Sequence, residues 1–374
     1  MKKFNHQKLE MFKPNFDSEL MPIILSLNHL KKMHLGGSTH PKIFFQLKDI
    51  FHLLESVGSA RIEGNRTTIS EYVEQKIDPD APSEERFSEI ANVEAAMTFI
   101  EESIDKGAKI TPHFIRELHQ LAVEGLEREG DKTPGAYRTW NVAIQQSNHV
   151  PPDNYQVLDY MTELFDFINR DDPEQYDLIK VATAHHRFTW IHPFGNGNGR
   201  VVRLLTYAML IKYGFNVKNG QLLNPTAVFC NDRDIYYSML SEADSGNYEA
   251  WISYVLGGIF IEIEKINRLL EHDVLLEQVL LPTLKRAREQ DLINANELKV
   301  LIVAVTNQVF KSGDLPDSLV PRQRTQVIAK LKEREFITPL KEGGREYIIN
   351  FINNPLMKSL LYTLEVEGFI PSID

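Results

Sequence analysis

Three glycines at alternate positions, Gly195, Gly197 and Gly199, stand directly ahead of an apolar run with helical spacing. That run, Val201, Val202, Leu204, Leu205, Ala208, Met209 and Leu210, stops at Gly214. A glycine turn feeding a helix lets consecutive N–H groups converge on an anion, and the helix start adds its own positive end. Arg200 and Arg203 share one face of the first helical turn, where cations oppose the helix dipole. A bound polyphosphate is the simplest compensation. Pro193 keeps His192 out of the helical region and holds it just before the turn. One stretch thus gathers a candidate base, an anion cradle and two guanidinium groups.

A second stretch, Ser59-Ala60-Arg61-Ile62-Glu63-Gly64, follows an amphipathic helix whose apolar positions run from Ile43 to Leu54. Ser59 can cap a short helix and Gly64 can end it in the left-handed conformation. Glu63 then sits beside a helix C-terminus, where a carboxylate is unfavourable, so another group should hold it.

The chain has 374 residues, 43% of them apolar, enough for a large core and two or three domains. Its net charge of -11 argues against general affinity for nucleic acid or anionic membrane. The single cysteine, Cys230, excludes an internal disulfide and every cysteine-based zinc pattern. No apolar run approaches the roughly 18 residues of a membrane span, and the start lacks a signal-peptide core. The expectation is a soluble, cytoplasmic protein without a membrane partner.

Most of the chain reads as helix. One helix is expected near Met21–Met33, ended by Gly36-Gly37, and another at Thr111-Pro112, with proline at its first position. The stretch from Lys76 to Glu85, with two prolines, reads as a loop. His119 has the spacing of a core histidine. Adjacent His185 and His186 cannot chelate one ion from a helix. Val142 and Ile144 alternate with polar neighbours between Pro134-Gly135 and Pro151-Pro152, which reads as a strand pair. Beyond Pro282 the order is helix, helix, hairpin, with Arg322, Arg324, Lys330 and Lys332 on the second helix, as in a winged helix. From Thr283 onward there are 13 basic and 12 acidic residues, against 28 and 40 before it. That modest contrast favours a protein-contact or dimer-forming module over DNA binding.

The stretch from His192 to Arg203 resembles the active-site motif of Fic (fido) proteins, His-Pro-Phe-x-Asp/Glu-Gly-Asn-Gly-Arg-x-x-Arg, at eight of nine specified positions. The resemblance implies a mainly α fold, a Fic-type helical core with a small β-hairpin flap, joined here to a C-terminal winged-helix-like domain. The implied division is an N-terminal helical extension over 1–40, a catalytic core over 41–280 and the last domain over 283–374. The implied activity is a protein adenylyltransferase that moves AMP from ATP to a hydroxyl side chain of a target protein or of itself. By that resemblance His192 is the general base and Phe194 anchors the loop. The N–H groups at Gly195, Gly197 and Gly199 and the side chains of Asn198, Arg200 and Arg203 hold the phosphates. Tyr236 and Tyr237 supply the adenine and ribose side, and Val142 and Ile144 the flap that aligns the target. Asn196 stands where the family has the acidic Mg²⁺ ligand; an amide oxygen can coordinate the ion but carries no charge. Ser59, Glu63 and Gly64 resemble the family's inhibitory motif, with Glu63 paired to Arg203. The alternatives are a phosphate or phosphocholine transferase on the same site, and a nucleotide-sensing, DNA-binding regulator with little catalysis.

Overall fold

The computed structural model describes residues 4–32, 37–78, 84–144, 148–215 and 223–370. Among them the chain is mainly helical: α1 (Leu20–Lys32), α2 (Pro41–Ile62), α3 (Ile69–Ile77), α4 (Glu85–Ser103), α5 (Pro112–Val123), α6 (Val157–Asn169), α7 (Asp177–Ile191), α8 (Asn198–Lys212), α9 (Thr226–Cys230), α10 (Arg233–Asp244) and α11 (Tyr248–Asn267). The remainder holds α12 (His272–Leu275), α13 (Leu281–Glu289), α14 (Ala295–Asn307), α15 (Pro321–Glu333), β1 (Ile337–Pro339), β2 (Tyr347–Ile349) and α16 (Leu356–Val366). No helix among the described residues is long and apolar enough to cross a membrane.

Two compact units divide these elements, and the division is not the linear one expected from sequence. The first contains Met1–His34, Glu55–Thr67 and Ser83–Ile263; the second contains Leu35–Leu54, Thr68–Pro82 and Glu264–Asp374. The helix α2 therefore gives its start to the second unit and its end to the first.

In the first unit α7 and α8 pack against each other, with α6 beside α7 and the pair α4 and α5 beside α8. Both central helices are buried nearly all round; Ala182, Phe188, Trp190, Val201, Val202 and Leu205 are buried there, and so are polar side chains such as His185, Arg200 and Arg203. The indole Nε1–H of Trp251 donates to the Ala182 carbonyl at 2.8 Å and ties α11 to α7. Local chemistry sets the ends of the surrounding helices. Thr111 caps α5 by accepting the Phe114 N–H, with Pro112 at the first position, and Asp232 caps α10 by accepting the Ile235 N–H. An irregular N-terminal segment lies over this core: Phe4 packs on Trp190, and the Gln7 carbonyl accepts from Arg187 at 2.8 Å.

In the second unit β1 and β2 form an antiparallel pair in the register Ile337↔Ile349, Thr338↔Ile348 and Pro339↔Tyr347, with an isolated bridge from Phe310 to Tyr347. Gln46 on the first part of α2 donates to the Ile349 carbonyl and accepts the Phe351 N–H. An Asn294–Glu297 capping box starts α14, and Glu297 also receives Lys330 and Arg334 from the end of α15.

Three local expectations need correcting. Ser59 does not cap a separate helix, because α2 runs without a break from Pro41 to Ile62. The described residues between Pro134 and Pro152 contain no strand; residues 145–147 lie outside the description. The reason is that side chains have taken the backbone groups a ladder would use. Arg138 donates to the Trp140 carbonyl at 3.0 Å and the Pro152 carbonyl at 2.6 Å, while Asn141 binds Asp153 and the Asn154 N–H. The loop expected from Lys76 begins only after Ile77, where α3 ends, and its centre, residues 79–83, is likewise outside the described residues, as are Met33 and Gly36.

Candidate active site

The helix α7 ends on His192, whose backbone is left-handed at φ 51°, ψ 61°. Residues other than glycine adopt that conformation uncommonly, histidine more often than most, and it persists where surrounding contacts over-determine it. Arg138 supplies them. Its Nε donates to the His192 carbonyl at 2.8 Å, its remaining nitrogens reach the carbonyls of Trp140, Pro152 and Ile191, and its own N–H donates to the Pro193 carbonyl. Nothing in the sequence pattern signals this role, because each partner lies far along the chain or on the backbone.

The glycine turn that follows is braced from behind. The His119 ring stacks on Phe194 with centroids 3.7 Å apart and planes 1° from parallel. Gly135 donates its N–H to Nδ1 of His119, so the ring proton sits on Nε2 and is donated to the Asn196 carbonyl at 3.1 Å. Burial pulls the His119 pKa down to about 4, so the ring is neutral. Asp131 accepts the Asn196 N–H at 2.8 Å. The Asn198 amide closes the turn on itself, accepting the Phe194 N–H and donating to the Phe194 carbonyl. Gly197 takes φ +75°, and a side chain there would also strike Val123 at 2.7 Å.

In front of the turn lies a cavity of about 280 Å³. His192, Asn198, Gly199, Arg203, Tyr236 and Tyr237 line it, with Glu63 and with Ile144 from the expected flap. Of the other expected residues, Phe194, Gly195, Asn196, Gly197, Arg200, Val142, Ser59 and Gly64 are not part of its wall. Phe194 is fully buried in the core behind. Gly195 lies against Trp140 and Asp131, with no room for a side chain. Arg200 is turned inward, donating to the Ala122 carbonyl at 3.1 Å and pairing with Glu89 at 3.3 Å.

The Asn196 amide is also turned away. Its oxygen accepts the Gly197 N–H at 2.7 Å and its nitrogen donates to Gly130. With that oxygen committed to the backbone, the residues of the turn do not fit a protein-held Mg²⁺. No cluster of three potential ligands occurs among the described residues.

Glu63 and Arg203 meet across the cavity. Arg203 is buried; it donates from Nε to the Ser59 hydroxyl at 2.9 Å, and from Nη2 to the Ser59 carbonyl at 2.9 Å and to Glu63 Oε1 at 2.8 Å. A Cβ added at Gly199, in the first turn of α8, would come within 2.0 Å of the same Glu63 oxygen. The carboxylate therefore rests on the start of a helix, where backbone N–H groups and the dipole favour an anion. Burial alone pushes the Glu63 carboxyl up, but the charge and hydrogen bond of Arg203, with Arg200 and Arg233 behind, hold it below the usual range.

Across from it, burial pulls the His192 ring down to about 4; Arg138 adds to the effect, while Glu63 and a hydrogen bond to the Thr189 backbone oppose it. The ring is neutral at physiological pH and able to accept a proton. Tyr236 is buried and its hydroxyl meets His185 Nε2 at 2.9 Å, whereas Tyr237 is exposed at the cavity wall.

Residues 109–210 match the family model described as "Fic/DOC family". Over that stretch the chain is similar to a Fic domain. The motif from His192 to Arg203 lies within it, while Glu63, Tyr236 and Tyr237 lie outside. Among curated proteins, "Protein adenylyltransferase Fic" of Nematostella vectensis is 31% identical over 202 residues, which is 53% of this chain and 44% of the relative. The protein of the same name from Drosophila willistoni is 28% identical over 209 residues, 54% of this chain and 39% of the relative. The chain thus spans less than half the length of these relatives. A Fic family protein from Desulfovibrio desulfuricans G20 superimposes with a TM-score of 0.56 at 19% identity, covering 92% of this chain and 98% of that one. That likeness shows that the Fic fold is shared.

Proposed function

We propose that this chain is a protein adenylyltransferase that transfers AMP from ATP to a hydroxyl side chain of a target protein, itself included. The observation that carries the proposal is the position of the Glu63 carboxylate. An anion from the turn just after the protein's own α2 already rests on the start of the Fic-domain helix and on Arg203, beside a neutral imidazole. A nucleotide triphosphate is the ligand that such a place would take once Glu63 withdraws.

In this reading the target hydroxyl oxygen attacks the α-phosphorus of ATP. The bond from that phosphorus to the bridging oxygen breaks, pyrophosphate leaves, and His192 takes the hydroxyl proton. The negative phosphates would raise the His192 pKa from about 4 toward a more effective range for a base. Arg203 would grip the outer phosphates, and Tyr237 would pack against the nucleoside. Glu63, while it holds Arg203, keeps the site closed to a productive triphosphate. The Mg²⁺ implied by the family resemblance finds no ligand in Asn196, so no step is assigned to a protein-held metal.

A regulator that binds nucleotide and turns over little is the second reading, favoured by this closed Glu63–Arg203 pair. For the C-terminal unit, the order of α14, α15, β1 and β2 supports a winged-helix-like module. Lys330 is paired with Glu297 and Arg324 with Asp317, which weakens the basic stripe and favours protein contact, a second copy included, over DNA.

The test is incubation of the protein, Glu63→Gly and Glu63→Gly/His192→Ala with α-labelled and γ-labelled ATP. Label from the α-position should appear on protein, rise in Glu63→Gly by about 10-fold or more, and fall by about 10²-fold or more without His192. Transfer of γ-label would replace the proposal with a phosphotransferase, and binding without transfer of either label would favour the regulator.

A further inference from the structure

The two arginines of the glycine turn do not both reach the cavity: Arg203 lines it, and Arg200 is spent on Ala122, Glu129 and Glu89. A triphosphate carries more charge than one guanidinium answers. The cavity wall contains another, from outside the segment that matches the family. Arg233 is the first residue of α10, and with Tyr237, Ser241 and Asp244 it forms one face of that helix along the cavity. At 1.5 Å per residue the face is roughly 16 Å long.

Its polarity is marked. The charge of Arg233 acts on the Glu63 carboxylate after those of Arg203 and of the inward-turned Arg200, whereas Asp244, at the far end, holds His186 at 2.9 Å. Negative phosphates are drawn to the first end and repelled from the second. Arg233 is also a cation in a first helical turn, opposed to the dipole, and among the described residues it has no carboxylate within 4.0 Å. The Tyr237 hydroxyl, 3.3 Å from Nε, and the Tyr237 ring, with its centroid 5.3 Å from the guanidinium carbon, hold the group in place without neutralising it.

We infer that Arg233, rather than Arg200, is the second cation of the phosphate site, a nucleotide-binding residue that closes on the outer phosphates opposite Arg203. This rests on the ATP reading above. When Glu63 withdraws, Arg203 and Arg233 remain on the wall of the cavity that its carboxylate leaves.

Calorimetric titration of the Glu63→Gly protein with ATP and with adenosine, at fixed salt and with or without Arg233→Ala, tests the assignment. Losing a charge-assisted hydrogen bond should weaken ATP by about 10-fold or more and leave adenosine within about twofold, with Arg233→Lys in between. Equal weakening of ATP and adenosine would mean that Arg233 merely supports Tyr237, and unchanged ATP affinity would mean that it touches no phosphate; either result overturns the assignment. If the Glu63→Gly protein with Arg233 intact binds neither ligand, the ATP reading itself falls and the assignment with it.

Discussion

Arg200 and Arg203 stand three residues apart in one helix, yet their guanidinium groups end in opposite surroundings. Arg200 faces the back of the glycine turn, where its partners are the main-chain carbonyls of Ala122 and Glu129 and the buried Glu89. Arg203 faces the cavity, and apart from the Ser59 carbonyl its partners are the side chains of Ser59 and Glu63. The Ala122 carbonyl, within α5, cannot leave without local unfolding; the side chain of Glu63, in the turn just past α2, can swing out. The back of the turn is therefore a fixed support and the front an exchangeable contact. Changes behind should register as lost stability, and changes in front chiefly as altered activity.

The sharpest way to break this contrast is Arg138→Ala. Arg138 holds four carbonyls and fixes His192 in its left-handed conformation. Removing it leaves buried acceptors unsatisfied and a hole beneath the base, so a loss of ~3 kcal/mol or more in urea denaturation is expected, together with loss of AMP transfer. A variant within about 1 kcal/mol of the parent would show that the turn holds itself and that the support is not where we place it.

What the sequence made legible is local. The helical class, the capped start of α5 and the glycine turn leading into α8 follow from spacing and from residues next to one another. The support behind the turn was not legible, because His119, Asp131 and Arg138 meet it through contacts that span more than fifty residues. The expected strand pair around Val142 failed for a related reason. Alternation of apolar residues cannot show that an arginine and two asparagines have already claimed the backbone. Which arginine faces the cavity was equally hidden: Arg200 and Arg203 share a helical turn, and only the neighbouring α4, with Glu89, and α2, with Ser59, separate them.

A smaller effect is expected in front. Ser59→Ala removes the hydroxyl that accepts from Arg203 Nε but leaves the Ser59 carbonyl and Glu63. A hydrogen bond to a charged group contributes about 1.5–3 kcal/mol, so stability should fall by an amount near the lower figure. Because Arg203 is then held less firmly to α2, α-label transfer should rise, though less than in Glu63→Gly. Lower transfer in Ser59→Ala would show that α2 positions Arg203 for ATP instead of withholding it, and the exchangeable front would need a different latch.

The smallest effect concerns protons. Glu55, one turn before Ser59 on α2, accepts the Thr226 N–H with both oxygens, and burial raises its pKa to about 8, partly offset by Thr226 and Arg203. In the unfolded chain its value is 4.5, so between 4.5 and about 8 the folded state binds the extra proton and stability falls as pH rises. His119 and His192, lowered from 6.5 to about 4, have the opposite sign: between those values the unfolded chain binds the extra protons, and stability rises with pH. Each histidine contributes up to about 1.4 kcal/mol per pH unit there, and neither contributes further once pH passes 6.5 by a unit. The stability profile should therefore climb through the acid range and then decline toward pH 8 by on the order of 1 kcal/mol. Glu55→Gln keeps the buried hydrogen-bonding capacity without the titrating proton, so it should flatten the decline and steepen the climb between pH 4.5 and 6.5, where Glu55 opposes the histidines. Denaturation midpoints across that range decide the matter: a decline equally steep in Glu55→Gln would mean that the protons come from elsewhere, and the α2 face that carries Glu55 and Ser59, with Glu63 just beyond it, would then bear on nucleotide access alone.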